Sequence, residues 1–202
     1  RSREIFKLAG FCVPKTLEVE MGENYQARLN LFITKIAKLP IVVKPCSNGS
    51  SVGVKIVSES GKLTKAIDET FKLGKKVLVE EYIRGKEITC GVLDPALQRA
   101  DASSEKNRSL SDGAGNFITL TIGGVTALPV TEIIPVKGHK FFDYNAKYKP
   151  GHCQEITPAQ IDEATREKVQ EIAVRAHQLL GCRGYSRTDM ILKNDNIYVL
   201  EI

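Results

Sequence analysis

Two acidic residues and an arginine near the end of the chain have the spacing of a cation site. Arg187 and Asp189 are two residues apart in a predicted strand, so their side chains share one face. If residues 194–196 form a three-residue loop to the last strand, Asp189 lies directly opposite Glu201. Carboxylate oxygens and nucleotide phosphates are the usual ligands of Mg²⁺. The alternative interpretation is a carboxylate pair bridged by the arginine, without a cation. A two-residue loop would offset Asp189 from Glu201 and weaken the prediction.

A Gly/Ser-rich loop follows a predicted buried strand that ends at Lys44. Residues 46–53 read Cys-Ser-Asn-Gly-Ser-Ser-Val-Gly, and such a loop can turn backbone N–H groups and the Ser50 and Ser51 hydroxyls toward a phosphate. Lys44 would neutralise the anion. The loop is not a Walker A motif, because no Gly-Lys-Ser/Thr follows and a strand comes next. A plain hairpin turn is the alternative.

Acidic residues mark the junction between two predicted strands. Glu80, Glu81, Tyr82 and Ile83 end one strand, and Glu87 begins the next. Two strands that meet in this way can offer backbone groups to an adenine edge and a carboxylate to ribose hydroxyls. Acidic residues on a solvated strand face are the alternative interpretation.

A second lysine lies in an aromatic segment, Phe-Phe-Asp-Tyr-Asn-Ala-Lys-Tyr over 141–148. By itself this segment indicates a loop with Lys147 and Tyr148 packed at the surface. The histidines share no metal-ligand spacing and form no Ser-His-Asp or Cys-His pattern. His177 falls on a predicted long helix, where we expect a partly exposed structural side chain.

Alternating helical and strand patterns position these residues in two predicted domains, 1–84 and 85–202. The first has the order helix, strand, helix, strand, strand, helix, strand, over residues 1–9, 16–20, 23–39, 40–44, 52–57, 63–71 and 76–83. The second has strands over 86–93, 117–122, 125–135, 185–193 and 197–202, with one long helix. We expect that helix to open with a capping box over 157–160 and to stop at Gly181. The polar stretch 95–116 indicates an insertion and a mobile excursion.

Composition excludes several classes of protein. The 202 residues carry 29 Lys and Arg against 24 Asp and Glu, a net charge of +5 that is too small and scattered to indicate nucleic-acid binding. No apolar run is long enough to span a membrane. Five widely spaced cysteines fit a reducing cytoplasm better than a disulfide framework. Both ends interrupt expected structure, so we interpret the chain as a fragment.

The order of these motifs closely resembles the D-alanine–D-alanine ligase family of the ATP-grasp superfamily. Gly-Ser-Ser-Val-Gly and Tyr-x-Ala-Lys-Tyr are specific to that family, whereas Arg-x-Asp and the glutamate pair are general to ATP-grasp enzymes. The resemblance covers nearly the whole chain except 94–116. It implies an α+β ATP-grasp fold in which two α+β domains clamp ATP between them.

The resemblance also implies a role for each candidate residue. Lys44 and Lys147 would contact ATP phosphates, and the loop with Ser50 and Ser51 would close over the γ-phosphate. The adenine and ribose sites would use Glu80, Glu81, Tyr82, Ile83 and Glu87. Asp189 and Glu201 would ligate Mg²⁺ or Mn²⁺, and the catalytic groups would be Arg187, Ser50 and Tyr148.

The implied activity is the ATP-dependent joining of two D-alanines through an acyl phosphate, for peptidoglycan precursors in the cytoplasm. In the family a substrate-binding domain precedes this part, and an Asn-x-x-Pro-Gly motif follows it. We therefore expect the isolated chain to be inactive, and a homodimer only of the complete protein. A D-alanine–D-lactate-type ligase and a non-catalytic nucleotide-binding fragment are the alternatives.

Overall fold

The computed structural model describes residues 2–47, 51–95, 106–111, 117–135 and 153–202. Helices and strands are mixed along the chain, as expected for an α+β protein. The α-helices are α1 (Ser2–Leu8), α2 (Gln26–Leu31), α3 (Leu63–Phe71) and α4 (Glu163–Leu179), with a π-helix at Phe32–Ile36 and a 3₁₀ turn at Ser60–Lys62. The strands are β1 (Thr16–Glu20), β2 (Ile41–Pro45), β3 (Lys55–Val57), β4 (Lys76–Glu81), β5 (Lys86–Asp94), β6 (Lys106–Ser111), β7 (Phe117–Ile122), β8 (Val125–Ala127), β9 (Thr131–Pro135), β10 (Cys153–Ile156), β11 (Gly184–Lys193) and β12 (Asn196–Glu201).

The chain forms two compact units, and the smaller sheet belongs to the unit formed chiefly by Pro14–Ile83. Its four strands have the order β1-β4-β2-β3 and pair antiparallel. Strand alternation sends one set of apolar side chains, including Val43 and Val79, into a core that Leu29 and Ile67 of the helices complete. The opposite face of β2 and β4 carries Lys44 and Glu80 together with Val42 and Leu78.

The larger sheet belongs to the unit that contains Arg1–Val13, Arg84–Ile134 and Glu155–Ile202. Its path is β10-β9-β5-β8-β7-β6, and β11 pairs with β5 and β12. Helix α4 covers one face through Val169, Ala173 and Ala176, which pack with strand residues such as Ile88 and Met190. The side chains between these positions on β5 and β11 therefore point to the other face.

Two helix predictions are corrected by the structure. The helix expected over 23–39 ends at Leu31 and continues as a π-helix, in which Ala37 N donates to Phe32 O at 2.8 Å. The Thr34 hydroxyl donates to Asn30 O at 2.7 Å and so competes for an acceptor of the regular helix.

The long helix begins later than expected, because its cap is Asp162 rather than Thr157. Asp162 Oδ1 accepts from Thr165 N at 2.9 Å. Upstream, Ala159 N donates to Val130 O at 2.7 Å, which ties 157–160 to the strand connection instead of a helix. Gly181, with φ of 65°, follows the end of the helix as expected.

The stretch 95–116 contains a strand that sequence reasoning missed. Strand β6 pairs antiparallel with β7, for instance Lys106 with Ile122. Residues 96–105 and 112–116 lie outside the described residues.

Among the helices of the described ranges, none has the length and apolar character needed to cross a membrane.

Candidate active site

Asp189 and Glu201 are direct partners in the ladder between β11 and β12. This opposed placement is as predicted, but the predicted three-residue loop is wrong. Lys193 pairs with Asn196, so the turn has two residues, and Asn194 takes the left-handed φ of 52° that such a turn favours. The register then shifts between Asp189 and Met190, where Leu200 is an extra residue on β12.

The bulge at Leu200 decides which way Glu201 points. If the register from Met190 and Val199 continued without a shift, Glu201 would face Thr188, whose side chain is 0% exposed in the core. The extra residue turns Glu201 to the face of Asp189 instead. Arg3 Nη2 donates to the bulged Leu200 carbonyl at 3.2 Å, which satisfies an acceptor at the irregularity.

Arg187 and Thr89 hold the Asp189 carboxylate from two sides. Arg187 Nε lies 3.0 Å from Oδ1 and Nη2 lies 3.3 Å from Oδ2, which is a two-point contact. Thr89 Oγ1 donates to Oδ1 at 2.8 Å from the paired strand β5. The Arg187 side chain is 61% exposed and that of Asp189 only 16%. The arginine is thus the solvent-facing member of the cluster.

Carboxylates surround Arg187 and stabilise its charged form. Asp189 raises the pKa of the guanidinium above its usual value, and Glu201 and Glu155 add to the effect. The arginine-bridged carboxylate, which was the alternative interpretation of the sequence, is thus present at Asp189.

The two opposed carboxylates are also the residues that could hold a divalent cation. Among the described residues, no group of three or more His, Cys, Asp or Glu side chains gathers as a ready-made metal site. Asp189 and Glu201 alone would supply one or two oxygen ligands each. This donor set fits Mg²⁺, which keeps much of its shell for water and substrate phosphates.

Lys44 and Glu80 form an ion pair in the smaller unit. Lys44 Nζ lies 3.0 Å from Glu80 Oε2, and the side chains are 18% and 3% exposed. The pair is diagonal across the ladder, because Lys44 faces Leu78 and Glu80 faces Val42. Sequence reasoning placed both residues near a nucleotide but did not pair them.

Of the remaining described candidates, Glu81 ends β4 and Glu87 lies near the start of β5, whereas Tyr82 and Ile83, predicted to end the strand, follow it. Glu81 Oε2 accepts from the Lys15 backbone N–H at 3.4 Å, Tyr82 is half-buried and Ile83 is buried. Glu87 faces Ile191 and is two residues from Thr89, so it shares the face of Asp189.

The Gly/Ser loop is described only in part. Ser51 has a left-handed φ of 58°. At Gly53, with φ of 77°, a Cβ would collide with the Leu73 side chain. Three predicted site residues lie outside the described residues, namely Ser50, Lys147 and Tyr148.

His177 is fully buried, so the predicted partly exposed side chain is wrong. Its side chain is 0% exposed, with Nε2 3.1 Å from Asp94 Oδ2 and Nδ1 2.8 Å from Ser186 Oγ. The three residues come from α4, β5 and β11 and join the helix to the sheet. No spacing in the sequence indicated this cluster, since Asp94 is 83 residues from His177 along the chain.

Comparison with known proteins agrees with the resemblance stated from the motifs. The family model described as "D-ala D-ala ligase C-terminus" matches residues 5–109 and 113–202. A D-alanine–D-alanine ligase from Syntrophobacter fumaroxidans is 40% identical over 81% of this chain and 44% of its own length. One from Leptospira interrogans is 37% identical over 100% of this chain and 51% of its own length. The chain thus spans about half the length of the curated relatives it matches.

Solved structures give the same result for the fold. The VanG D-Ala:D-Ser ligase from Enterococcus faecalis has a TM-score of 0.72 and 29% identity, covering 100% of this chain and 50% of that one. The D-alanine–D-alanine ligase from Bacillus anthracis has a TM-score of 0.69 and 28% identity, covering 99% and 54%. With its mixed helices and sheets, the chain therefore has the ATP-grasp fold and belongs to the family of D-alanine–D-alanine ligase C-terminal regions.

Proposed function

We propose that this chain is the ATP-binding and catalytic part of a ligase that joins two D-alanines and releases ADP and phosphate. The observation that carries the proposal is the opposed pair Asp189 and Glu201 beside Arg187, in a chain of this family. The chemistry needs a cation, a positive group at the reacting carbonyl and no protein nucleophile. Asp189 and Glu201 would supply the protein ligands of the cation, and Arg187 would supply the positive group.

Each candidate residue has a role in the proposal. Asp189 and Glu201 would hold Mg²⁺ or Mn²⁺, which when bound neutralises phosphate charge and orients the nucleotide. Lys44 and Lys147 would contact phosphates, with Ser50 and Ser51 in the loop over the γ-phosphate. The nucleoside would be bound by Glu80, Glu81, Tyr82, Ile83 and Glu87, and Tyr148 would help to cover the amino-acid site.

The proposed reaction has two steps. A carboxylate oxygen of the first D-alanine attacks the γ-phosphorus of ATP, and ADP leaves, which gives an acyl phosphate. The amine of the second D-alanine attacks the acyl carbonyl, loses a proton, and phosphate leaves as the peptide bond forms. Arg187 would stabilise the negative charge on the carbonyl oxygen, so catalysis depends on positioning and electrostatics.

The product would serve peptidoglycan precursor synthesis in the cytoplasm, and the complete protein would act as a homodimer. A second acceptor has a specific observation in its favour. The structural match to a D-Ala:D-Ser ligase makes D-serine a candidate for the second substrate.

The test is phosphate release from ATP by the full-length gene product with D-alanine, with the dipeptide identified by mass spectrometry. D-Serine and D-lactate as competing acceptors would distinguish the acceptor types. We expect D-alanyl-D-alanine as the main product and strict dependence on Mg²⁺ or Mn²⁺. Thermal stabilisation by ATP without any turnover would instead identify a nucleotide-binding protein and refute the ligase activity.

A further inference from the structure

Thr89 is the buried hydrogen-bond partner of a residue proposed to bind the cation. It faces Asp189 directly across the β5–β11 ladder, and the residue is 9% exposed. Its Oγ1 is 2.8 Å from Asp189 Oδ1 and 3.2 Å from the Thr188 carbonyl. Both neighbours accept hydrogen bonds, and the single hydroxyl proton favours the charged carboxylate.

Arg187 and Thr89 contact Asp189 from very different surroundings. Arg187 is 61% exposed and reaches Asp189 through a long side chain from the same strand. Thr89 is β-branched, which restricts its rotamers, and it is fixed in the centre of the ladder. If the Arg187 side chain turns to the substrate, it gives up its contact with Asp189 through Nε and Nη2, whereas the Thr89 contact needs no change.

We propose that Thr89 is a positioning residue that holds Asp189 in its cation-binding orientation when Arg187 turns to the substrate. This inference rests on the proposed function, because it assigns Thr89 to the cation site of that function. A hydrogen bond to one carboxylate oxygen fixes the plane of the group and leaves the other lone pairs available to a cation. Partners of metal ligands typically change metal affinity or activity about 10–100-fold when they are removed.

Thr188 provides a matched control. Its side chain is 0% exposed, and within the described part of the chain its Oγ1 has no hydrogen-bond partner. It precedes Asp189 but points to the opposite face, into the core. Thr89→Val and Thr188→Val therefore remove the same hydroxyl from two buried positions, and only the first removes a contact to Asp189.

The experiment measures Mn²⁺ affinity in the presence of ADP by electron paramagnetic resonance, with the full-length protein and each variant. We expect Thr89→Val to weaken Mn²⁺ binding about 10-fold and to raise the apparent KM for the metal more than it lowers kcat. Thr89→Ser should restore binding to within about 3-fold, and Thr188→Val should bind as the wild type does. If Thr89→Val does not fold, Thr89→Ala provides the same test with a smaller side chain.

Two results would overturn the inference. One is wild-type Mn²⁺ affinity in a folded Thr89→Val or Thr89→Ala protein, and the other is an equal loss in Thr188→Val. These results are separate from a failure of the proposed function. Wild-type protein that binds Mn²⁺ with nucleotide but forms no dipeptide would refute the ligase activity and leave the role of Thr89 measurable.

Discussion

Asp189 lies directly opposite Glu201 although the turn between their strands has only two residues, because Leu200 is an extra residue on the last strand. A continuous ladder would have turned Glu201 into the core beside Thr188. The bulge therefore brings the two carboxylates onto one face, and Arg187 and Thr89 hold one of them. The cation-binding ability proposed for this face depends on that one irregular residue.

Replacing Asp189 tests whether the opposed carboxylates form the cation site. We expect Asp189→Asn to lower dipeptide formation by at least about 100-fold, because the amide is a poor Mg²⁺ ligand. The free energy of unfolding should change by about 1 kcal/mol or less, since the partner Arg187 is largely exposed. Steady-state kinetics and urea denaturation of the full-length protein provide the two measurements.

Asp195→Asn is the control for this substitution, because Asp195 is exposed in the turn of the same hairpin. It should leave both quantities unchanged. Full activity in Asp189→Asn, with the protein folded, would contradict the assignment of Asp189 to the cation.

Replacing Lys44 tests the ion pair with Glu80 in the absence of nucleotide. Lys44→Met leaves the 3% exposed Glu80 carboxylate without this cation, so we expect a loss of about 3 kcal/mol in the free energy of unfolding. The double variant Lys44→Met/Glu80→Gln should be at least about 1 kcal/mol more stable than the sum of the single changes predicts. Chemical denaturation measures all four proteins of the cycle.

Lys62 and Glu59 provide the comparison, since their ion pair is exposed on both sides. Lys62→Met should change stability by about 0.5 kcal/mol or less. An equally small effect of Lys44→Met would show that burial does not strengthen the Lys44 pair.

The bounds of many described strands were predictable from the sequence. The elements that pack against one another were not. Alternating apolar residues and Gly/Pro punctuation give β1, β5 and β7 almost to the residue. By contrast, α1 belongs to the unit of the larger sheet rather than to the unit of Pro14–Ile83. A short amphipathic helix shows which face it buries but not against which distant element.

The site shows the same division between local and long-range information. The spacing of Arg187 and Asp189 fixes a shared face, so that relationship was predictable. The bulge at Leu200 was not, because a single extra residue leaves no pattern in an apolar strand. Thr89 and Glu80 contact their partners across pairs of strands. The register of those strands depends on the whole sheet, so local spacing did not predict the contacts.

Replacing His177 tests whether the buried cluster with Asp94 and Ser186 stabilises the larger unit. We expect His177→Leu to cost about 3–5 kcal/mol of unfolding free energy, because it removes a hydrogen-bond partner from the nearly inaccessible Asp94 carboxylate. Ser186→Ala should cost about 1 kcal/mol, the usual value for one neutral hydrogen bond. Urea denaturation of both variants gives the comparison. Equally small losses of unfolding free energy in both variants would show that the Asp94 contact stabilises the unit no more than the Ser186 contact does.

Thiol labelling tests the burial of β5 around Thr89. Burial raises the pKa of Cys90 to about 12, so at pH 8 only about one molecule in 10⁴ has the reactive thiolate there. Cys12 and Cys46 are exposed. We expect iodoacetamide to label these two within minutes and Cys90 only after β5 opens, as followed by mass spectrometry of peptides.

Because Cys90 is the neighbour of Thr89, its labelling rate measures the opening of the strand that holds Asp189 in place. In urea all three cysteines should label alike, which verifies that the Cys90 peptide is detectable. Labelling of native Cys90 at the rate of Cys46 would contradict the burial of β5. It would also remove the rigidity on which the positioning role of Thr89 depends.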